Sequence, residues 1–369
     1  MRLDPSKKYI HQFDTYDEYN SYVIGSAYTE PFVATHVPMD ESVSEISVKY
    51  NSDADRQKEL MEQPLTFEIL SSGNIVWKSV QSANTLVATI EYSKNGGAWT
   101  SITSATGDGA TISVTTGDVV QFRGDNDQYS TGPYDNNFFS GTTCNFNVKG
   151  NIMSLINSTG FSIATTLEKD YALAKLFYRC TKLKDASNLK LPATTLSSRA
   201  YYYTFYYCTG MTSTPELPAM TLSTYCYQSM FSNCKSLTKP PKLPATTLAN
   251  GCYYEMFYAC SGLIEPPKLP ATTLANGCYY EMFRACTSLT STPELPAKTL
   301  VYRCYRVMFY GCTNLVNIRC LATNISATEC TVNWTKGVSE LGTFTKDPLM
   351  SEWTTGFDGI PENWTVQNA

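Results

Sequence analysis

Between residues 248 and 260 the apolar positions fall four apart. Leu248, Cys252, Met256 and Cys260 mark successive i+4 steps, with Tyr253 and Phe257 beside them and Thr246 or Thr247 in front. This spacing predicts an amphipathic helix over 248–260 with a threonine N-cap, ended by the serine and glycine after Cys260. Leu263-Ile264-Glu265 predicts a short strand, which Pro266-Pro267 closes by removing backbone donors.

The same pattern returns every 26 residues. Leu191, Leu217, Leu243, Leu269 and Leu295 each open an L-P-A-x-T-L segment, and Leu321 falls on the next expected position. Phe205, Phe231, Phe257, Phe283 and Phe309 each begin F-x-x-C, and Phe177 begins it two residues out of step. Met230, Met256, Met282 and Met308 share one position and Trp334 takes the next; Leu341 likewise follows Leu315 by 26 residues. A fixed period of this length predicts a solenoid whose units bury their apolar faces against their neighbours. Such a stack needs caps: Asn151–Ile156 is placed to cover its first coil, and the tail with Trp353 and Trp364 its last.

Upstream the period changes to that of strands. Leu65–Leu70, Asn74–Ser79 and Leu86–Ser93 are β-rich, and Asn95-Gly96-Gly97 signals a hairpin between Ile90-Glu91-Tyr92 and Trp99–Ile102. Thr116-Gly117-Asp118 signals a second, between Ile112–Val114 and Val119–Phe122. An antiparallel β-sandwich is expected over 64–150, with Ile90, Tyr92, Trp99, Val120 and Phe122 inside and Gln128–Thr143 as a long exposed loop. Residues 1–63 form a polar, Tyr-rich arm with one helical hint at Asp53–Glu62, where Leu60 and Met61 face inward. Pro31-Phe32 and Ile46–Tyr50 in that arm are extended pieces suited to docking. The expected fold class is therefore multidomain α+β: an attachment arm (1–63), a sandwich (64–150), a solenoid (151–345) and a C-terminal cap (346–369).

Composition narrows the partners. A net charge of −5 without basic clusters gives no electrostatic reason to expect nucleic acid. No stretch approaches the roughly 18 apolar residues of a membrane span. Met1–Lys8 lacks the apolar core of a secretory signal, so export by a signal peptide is not expected.

Eleven of the thirteen cysteines fall on two repeat ladders: Cys180, Cys208, Cys234, Cys260, Cys286 and Cys312, and Cys226, Cys252, Cys278, Cys304 and Cys330. Cys144 and Cys320 stand outside both. One small apolar side chain per coil is what a stacked core asks for, so buried thiols are expected rather than disulfides. No C-x-x-C occurs and the histidines are only His11 and His36, so no metal site and no cofactor are expected.

The F-x-x-C-x-x-L units, as at Phe257–Leu263 and Phe283–Leu289, each followed by a Pro-bounded strand and a helix, resemble the BspA-like leucine-rich repeats. These occur in Bacteroides surface proteins and in proteins of the phages infecting those bacteria, the crAss-like phages included. The resemblance covers about residues 155–345. The 26-residue unit is longer than is usual in the family, and Pro-Pro interrupts the strand, which predicts a less continuous sheet.

Candidate chemistry is sparse. Glu255 and Glu281 recur at one repeat position, and Glu216 and Glu294 at another, which reads as a solvated acidic face. Arg123-Gly124-Asp125 spells an integrin tripeptide but sits where a strand ends, as ordinary turn chemistry. Asp125 and Asp127 read as a polar turn too. The remaining candidates are tyrosine rows: Tyr227, Tyr253, Tyr279 and Tyr305 at one position, and Tyr254 and Tyr280 at the next. One row is expected to face the core and the other solvent, where tyrosine offers contact area at small entropic loss.

The expectation is a non-enzymatic structural protein of a phage virion exterior, a head or tail fibre. It would attach to other virion proteins through its arm and bind a bacterial surface glycan or protein through its solenoid. Homo-oligomerisation is what the resemblance implies. A bacterial cell-surface adhesin of the same repeat family is the alternative, and a capsular-glycan depolymerase a more distant one.

Overall fold

The structure, a computed structural model, describes residues 53–80, 87–132, 134–351 and 353–369. The expected arm, its docking pieces and both histidines lie almost wholly outside them. The chain divides into two compact units, Met1–Glu59 and Leu60–Ala369. In the first, the described residues belong to α1 (Asp53–Glu62), where Asp53 and Asp55 sit in the first turn and complement the positive end of the helix. In the second unit Leu60 is buried and Met61 half-buried.

Eight strands follow: β1 (Leu65–Ile69), β2 (Gly73–Val80), β3 (Thr89–Lys94), β4 (Thr100–Thr103), β5 (Ala110–Val114), β6 (Val119–Arg123), β7 (Asn136–Phe138) and β8 (Phe146–Asn151). Asn95 and Gly96 adopt positive φ and turn β3 antiparallel onto β4, as the Asn-Gly-Gly signal predicts. The second expected hairpin does not form. β5 pairs with β2, whereas β6 pairs with β1 and β3. The Thr115–Asp118 turn therefore carries the chain between sheets, held by the Asp118 carboxylate, which accepts from the Thr115 amide at 2.7 Å and pairs with Lys94 at 2.7 Å. Ile90, Val120 and Phe122 are buried as expected, while Tyr92 and Trp99 are only half-buried. Phe67 stacks on Phe146 at 4.6 Å and meets Phe122 and Phe139 at 4.9 Å, so the centre of the core is aromatic.

Gln128–Thr143 is not the expected exposed loop. Tyr129, Ser130, β7 and Phe139 are buried, and the Tyr129 and Phe139 amides donate to the carbonyls of Ala172 and Leu176, each at 2.8 Å. Ile152, Met153 and Leu155 are buried beside them, so the first coil is covered from both segments. Three short strands follow: β9 (Thr166–Leu167), β10 (Asn188–Lys190) and β11 (Thr195–Leu196). β10 adds in parallel to β8, and the six-stranded sheet runs β10-β8-β1-β6-β3-β4, so packing continues unbroken past residue 150.

The C-terminal part is a β-solenoid of about eight coils of ~26 residues. Its repeated segment is not the predicted helix. In 251–260, Gly251, Glu255 and Ala259 all have φ between 53° and 59°. Even-numbered amides close tight turns, as Tyr254 to Gly251 and Met256 to Tyr253. Odd-numbered amides leave the segment altogether: Tyr253, Glu255, Phe257 and Ala259 donate to Cys278, Tyr280, Met282 and Arg284 of the next coil at 2.7–3.0 Å. From Gly251 to Tyr258 each amide thus donates once and each carbonyl accepts one amide, within the turn or across coils, which removes the main penalty on a non-helical buried chain. Among the described residues seven such ribbons stack, with five bonds at each of six interfaces, all pointing toward the C-terminal coil. Each peptide unit that donates forward also accepts backward, so the bonds form five continuous columns.

Side chains stack in the same register. Phe205, Phe231, Phe257, Phe283 and Phe309 form a ladder with ring separations of 5.5–5.8 Å. Phe177 joins it at 5.2 Å, so the two extra residues of the first coil are absorbed outside the ribbon. All thirteen cysteines are free and buried. In the first ladder each thiol from Cys208 onward donates to the phenylalanine carbonyl of the preceding coil, as Cys260 to Phe231 and Cys286 to Phe257, both at 3.0 Å, and Cys180 donates to the carbonyl of Phe139 in the covering segment.

The strands of the later coils, β12 (Ser291–Leu295), β13 (Asn317–Cys320), β14 (Thr343–Lys346) and β15 (Thr365–Asn368), form a parallel sheet. A bulge between Ser291 and Glu294 shifts the register by one, pairing Leu295 with Cys320. Cys320 therefore fills the buried leucine position and Leu321 is displaced to a half-buried one, which explains why this cysteine lies off both ladders. Leu341 does not repeat the role of buried Leu315; it is 67% exposed, and Phe344 on β14 fills the core instead. Trp334 closes the stack, lying on Tyr305 at 6.2 Å and under Trp353 at 5.4 Å.

Candidate functional site

The four-residue repeat of the ribbon sorts its side chains into two pairs. In 252–260 the pairs Cys252-Tyr253 and Met256-Phe257 and then Cys260 point inward, while Tyr254-Glu255 and Tyr258-Ala259 point outward. Tyr227, Tyr253, Tyr279 and Tyr305 are therefore core residues, 1–2% exposed and stacked ring on ring at 5.8–6.1 Å. They cannot offer a surface. Tyr254 and Tyr280 lie in the outward pair, half-exposed and stacked on each other at 4.8 Å.

The outward face holds more tyrosines than those two rows. Tyr178, Tyr202, Tyr203, Tyr206 and Tyr207 belong to it in the first two coils, and Tyr258 and Tyr310 further on. Their rings pack along and across coils: Tyr178 on Tyr206 at 5.2 Å, Tyr203 on Tyr206 at 4.8 Å. Cations are set between them. The Arg284 guanidinium lies 5.4 Å from the Tyr258 ring and 5.0 Å from that of Tyr310; Lys336 lies 5.7 Å from Tyr310. The signal for these residues was present in the sequence, since a strict period of four places Tyr254 with Tyr258 on one side. The helical reading, with its period of 3.6, hid it.

Of the repeated carboxylates, Glu255 and Glu281 are not a solvated face. Glu281 is 8% exposed and pairs with Arg284 at 2.7 Å. Glu255 is half-buried and accepts from the Ser229 hydroxyl at 2.7 Å. Burial first and the adjacent Glu281 charge second push the Glu255 carboxyl above the usual carboxylate range, while Ser229 and Tyr254 pull it partly back. Glu216 and Glu294 are exposed, as expected, and Glu294 pairs with Arg319 at 2.7 Å. The tripeptide at 123–125 is engaged internally. Arg123 pairs with Glu91 at 2.7 Å and covers the Trp99 ring at 4.2 Å, Gly124 is buried, and the Asp125 carboxylate accepts from Ser158.

A second surface feature is a shallow groove of about 500 Å³ between Pro266, Pro267 and Pro270 of one coil and Pro293 and Pro296 of the next. The thiols offer no nucleophile: burial raises all of them, Cys252 and Cys260 to about 12, so they stay protonated. Among the described residues no cluster of three or more His, Cys, Asp or Glu is placed to hold a metal ion, and no helix is long and apolar enough to cross a membrane. Comparison with protein families, curated proteins and solved structures returned no match.

Proposed function

We propose that this chain is a non-enzymatic structural component of a phage virion exterior, fibre-like, whose solenoid binds the surface of a bacterium. The observation that carries the reading is the outward ribbon face. Tyrosine and arginine are the side chains most enriched at energetically important contacts, and here they are repeated on a backbone held by five hydrogen-bonded columns. A face already ordered in this way loses little side-chain freedom on binding. The F-x-x-C-x-x-L units support membership of the BspA-like repeats, and the two sheets of 65–151 serve in this reading as a β-sandwich spacer. The arm at 1–63 would attach to other virion proteins, with assembly as a homo-oligomer.

The test is detection of the chain in purified virions by mass spectrometry, with its place located in a reconstruction of the particle. Its presence on the exterior supports the proposal. Its absence from virions, together with detection on the bacterial envelope, overturns it in favour of a cell-surface adhesin.

A further inference from the structure

The charges of the ribbon face are not evenly laid out. Lys175, Arg179 and Arg199 occupy the first two coils, whereas Glu255 and Glu281 occupy the fourth and fifth. The one acid of the first ribbon, Asp170, accepts from the Ser198 amide at 3.1 Å. Six arginines lie in the described solenoid, and four of them, Arg284, Arg303, Arg306 and Arg319, pair with a glutamate. Arg179 and Arg199 are the other two, and among the described residues neither has a carboxylate partner. Both are instead clamped by rings. The Arg179 guanidinium lies 5.5 Å from the Tyr178 ring and 5.5 Å from that of Tyr207. Arg199 lies 5.5 Å from Tyr171 and 4.7 Å from Tyr225.

A guanidinium resting on an aromatic face is fixed in orientation while its in-plane N–H fork stays available to a carboxylate. The half-exposed rings around it offer flat apolar faces of the size of a sugar ring. We infer that the first two coils bind an acidic polysaccharide of the bacterial envelope, its uronic or sialic carboxylates on Arg179 and Arg199 and its sugar rings on the flanking tyrosines. The inference rests on the host-surface reading above and names the ligand class. Charge also sets the limits of the site. An acidic polymer is repelled by a chain of net charge −5 except at such a patch, and Glu255 stops it from running further along the face. A single-stranded nucleic acid, with a phosphate at every nucleotide, asks for a denser row of cations than two coils supply.

Titration calorimetry of the full chain with polygalacturonate, colominic acid, dextran and poly(U) tests this. Binding of both acidic polysaccharides and not of dextran is expected, weakening about tenfold or more as salt rises and screens the exposed pairs. Arg179→Gln with Arg199→Gln is expected to weaken it at least tenfold with an unchanged unfolding midpoint, and Lys239→Gln, on an exposed residue away from the ribbon face, to leave it unchanged. Should the double variant unfold, Arg179→Gln alone decides, since that side chain is exposed. Equal binding of dextran, full binding by a folded variant, or tighter binding of poly(U) overturns the inference. Binding to intact bacteria without any preference for acidic polymers sinks the ligand class alone; no binding to bacteria sinks the host-surface reading with it.

Discussion

Raising the pH should unfold this protein at a point where most proteins are unaffected. Five thiols, those of Cys252, Cys260, Cys304, Cys312 and Cys320, are pushed to about 12 by burial. In the unfolded chain the same groups lose their protons near the reference value of about 8.5. Above that pH the unfolded state binds fewer protons than the folded one, so stability falls as pH rises, until the native thiols ionise as well. At pH 9.5, one unit above the reference, each thiol removes roughly 1 kcal/mol, and the five together on the order of 5–7 kcal/mol. That is comparable with the whole stability of a typical domain, about 5–15 kcal/mol. The remaining ladder thiols act in the same direction, while the buried tyrosines, with a reference near 10, join only at higher pH. The measurement is urea unfolding at pH 7.5, 8.5 and 9.5 under reducing conditions, with iodoacetamide labelling of the native protein read by intact mass. A large fall in the midpoint between pH 8.5 and 9.5 and near-absent native labelling are expected. An unmoved midpoint, or native thiols alkylated as fast as free cysteine, would refute the buried-ladder account.

Two further outcomes follow from the coil geometry. Phe257→Ala removes a fully buried ring stacked at 5.8 Å on both sides, and should lower stability by about 4–6 kcal/mol, with hydrogen exchange accelerated in the neighbouring ribbons first. Ala285 holds φ 59°, so Ala285→Gly should raise stability by about 0.5–1 kcal/mol in thermal unfolding, whereas Gly251→Ala, whose Cβ would sit 2.1 Å from the Tyr225 ring, should lower it by about 1–3 kcal/mol. Equal effects from the two substitutions would refute the left-handed assignment.

What the sequence made legible was spacing, and what it left out was backbone conformation. The period of 26, the Phe ladder and the buried thiols all follow from which residues recur. The ribbon did not, because an i+4 recurrence fits a helix and a four-residue turn equally well over two steps. The pairing of neighbours, Cys252 with Tyr253 and Met256 with Phe257, was the discriminating clue. Glycine marks the left-handed positions at 251 and 277, but Glu255, Glu281 and Val307 occupy equivalent ones, against their local preference. That preference is overridden by inter-coil bonds which no window of local sequence contains. The one-residue bulge before Glu294 and the burial of 129–139 are likewise tertiary. The same gap obscured the candidate site: the tyrosine rows were visible, but only the inward and outward alternation told which row a ligand can reach.

The columns of hydrogen bonds also give the solenoid an electrical direction. Each forward-donating peptide unit lies head to tail on the next, so their dipoles add along the stack as they do along a helix axis. Partial positive charge collects where the last coil's amides run out and partial negative charge where the first coil's carbonyls begin. The two ends are covered accordingly. The Asp358 carboxylate accepts from the Asn333 amide at 2.6 Å at one end, and the Tyr129 and Phe139 amides meet carbonyls at the other. Two such stacks placed end to end are attracted head to tail and repelled head to head, a polarity that any assembly built from this coil inherits.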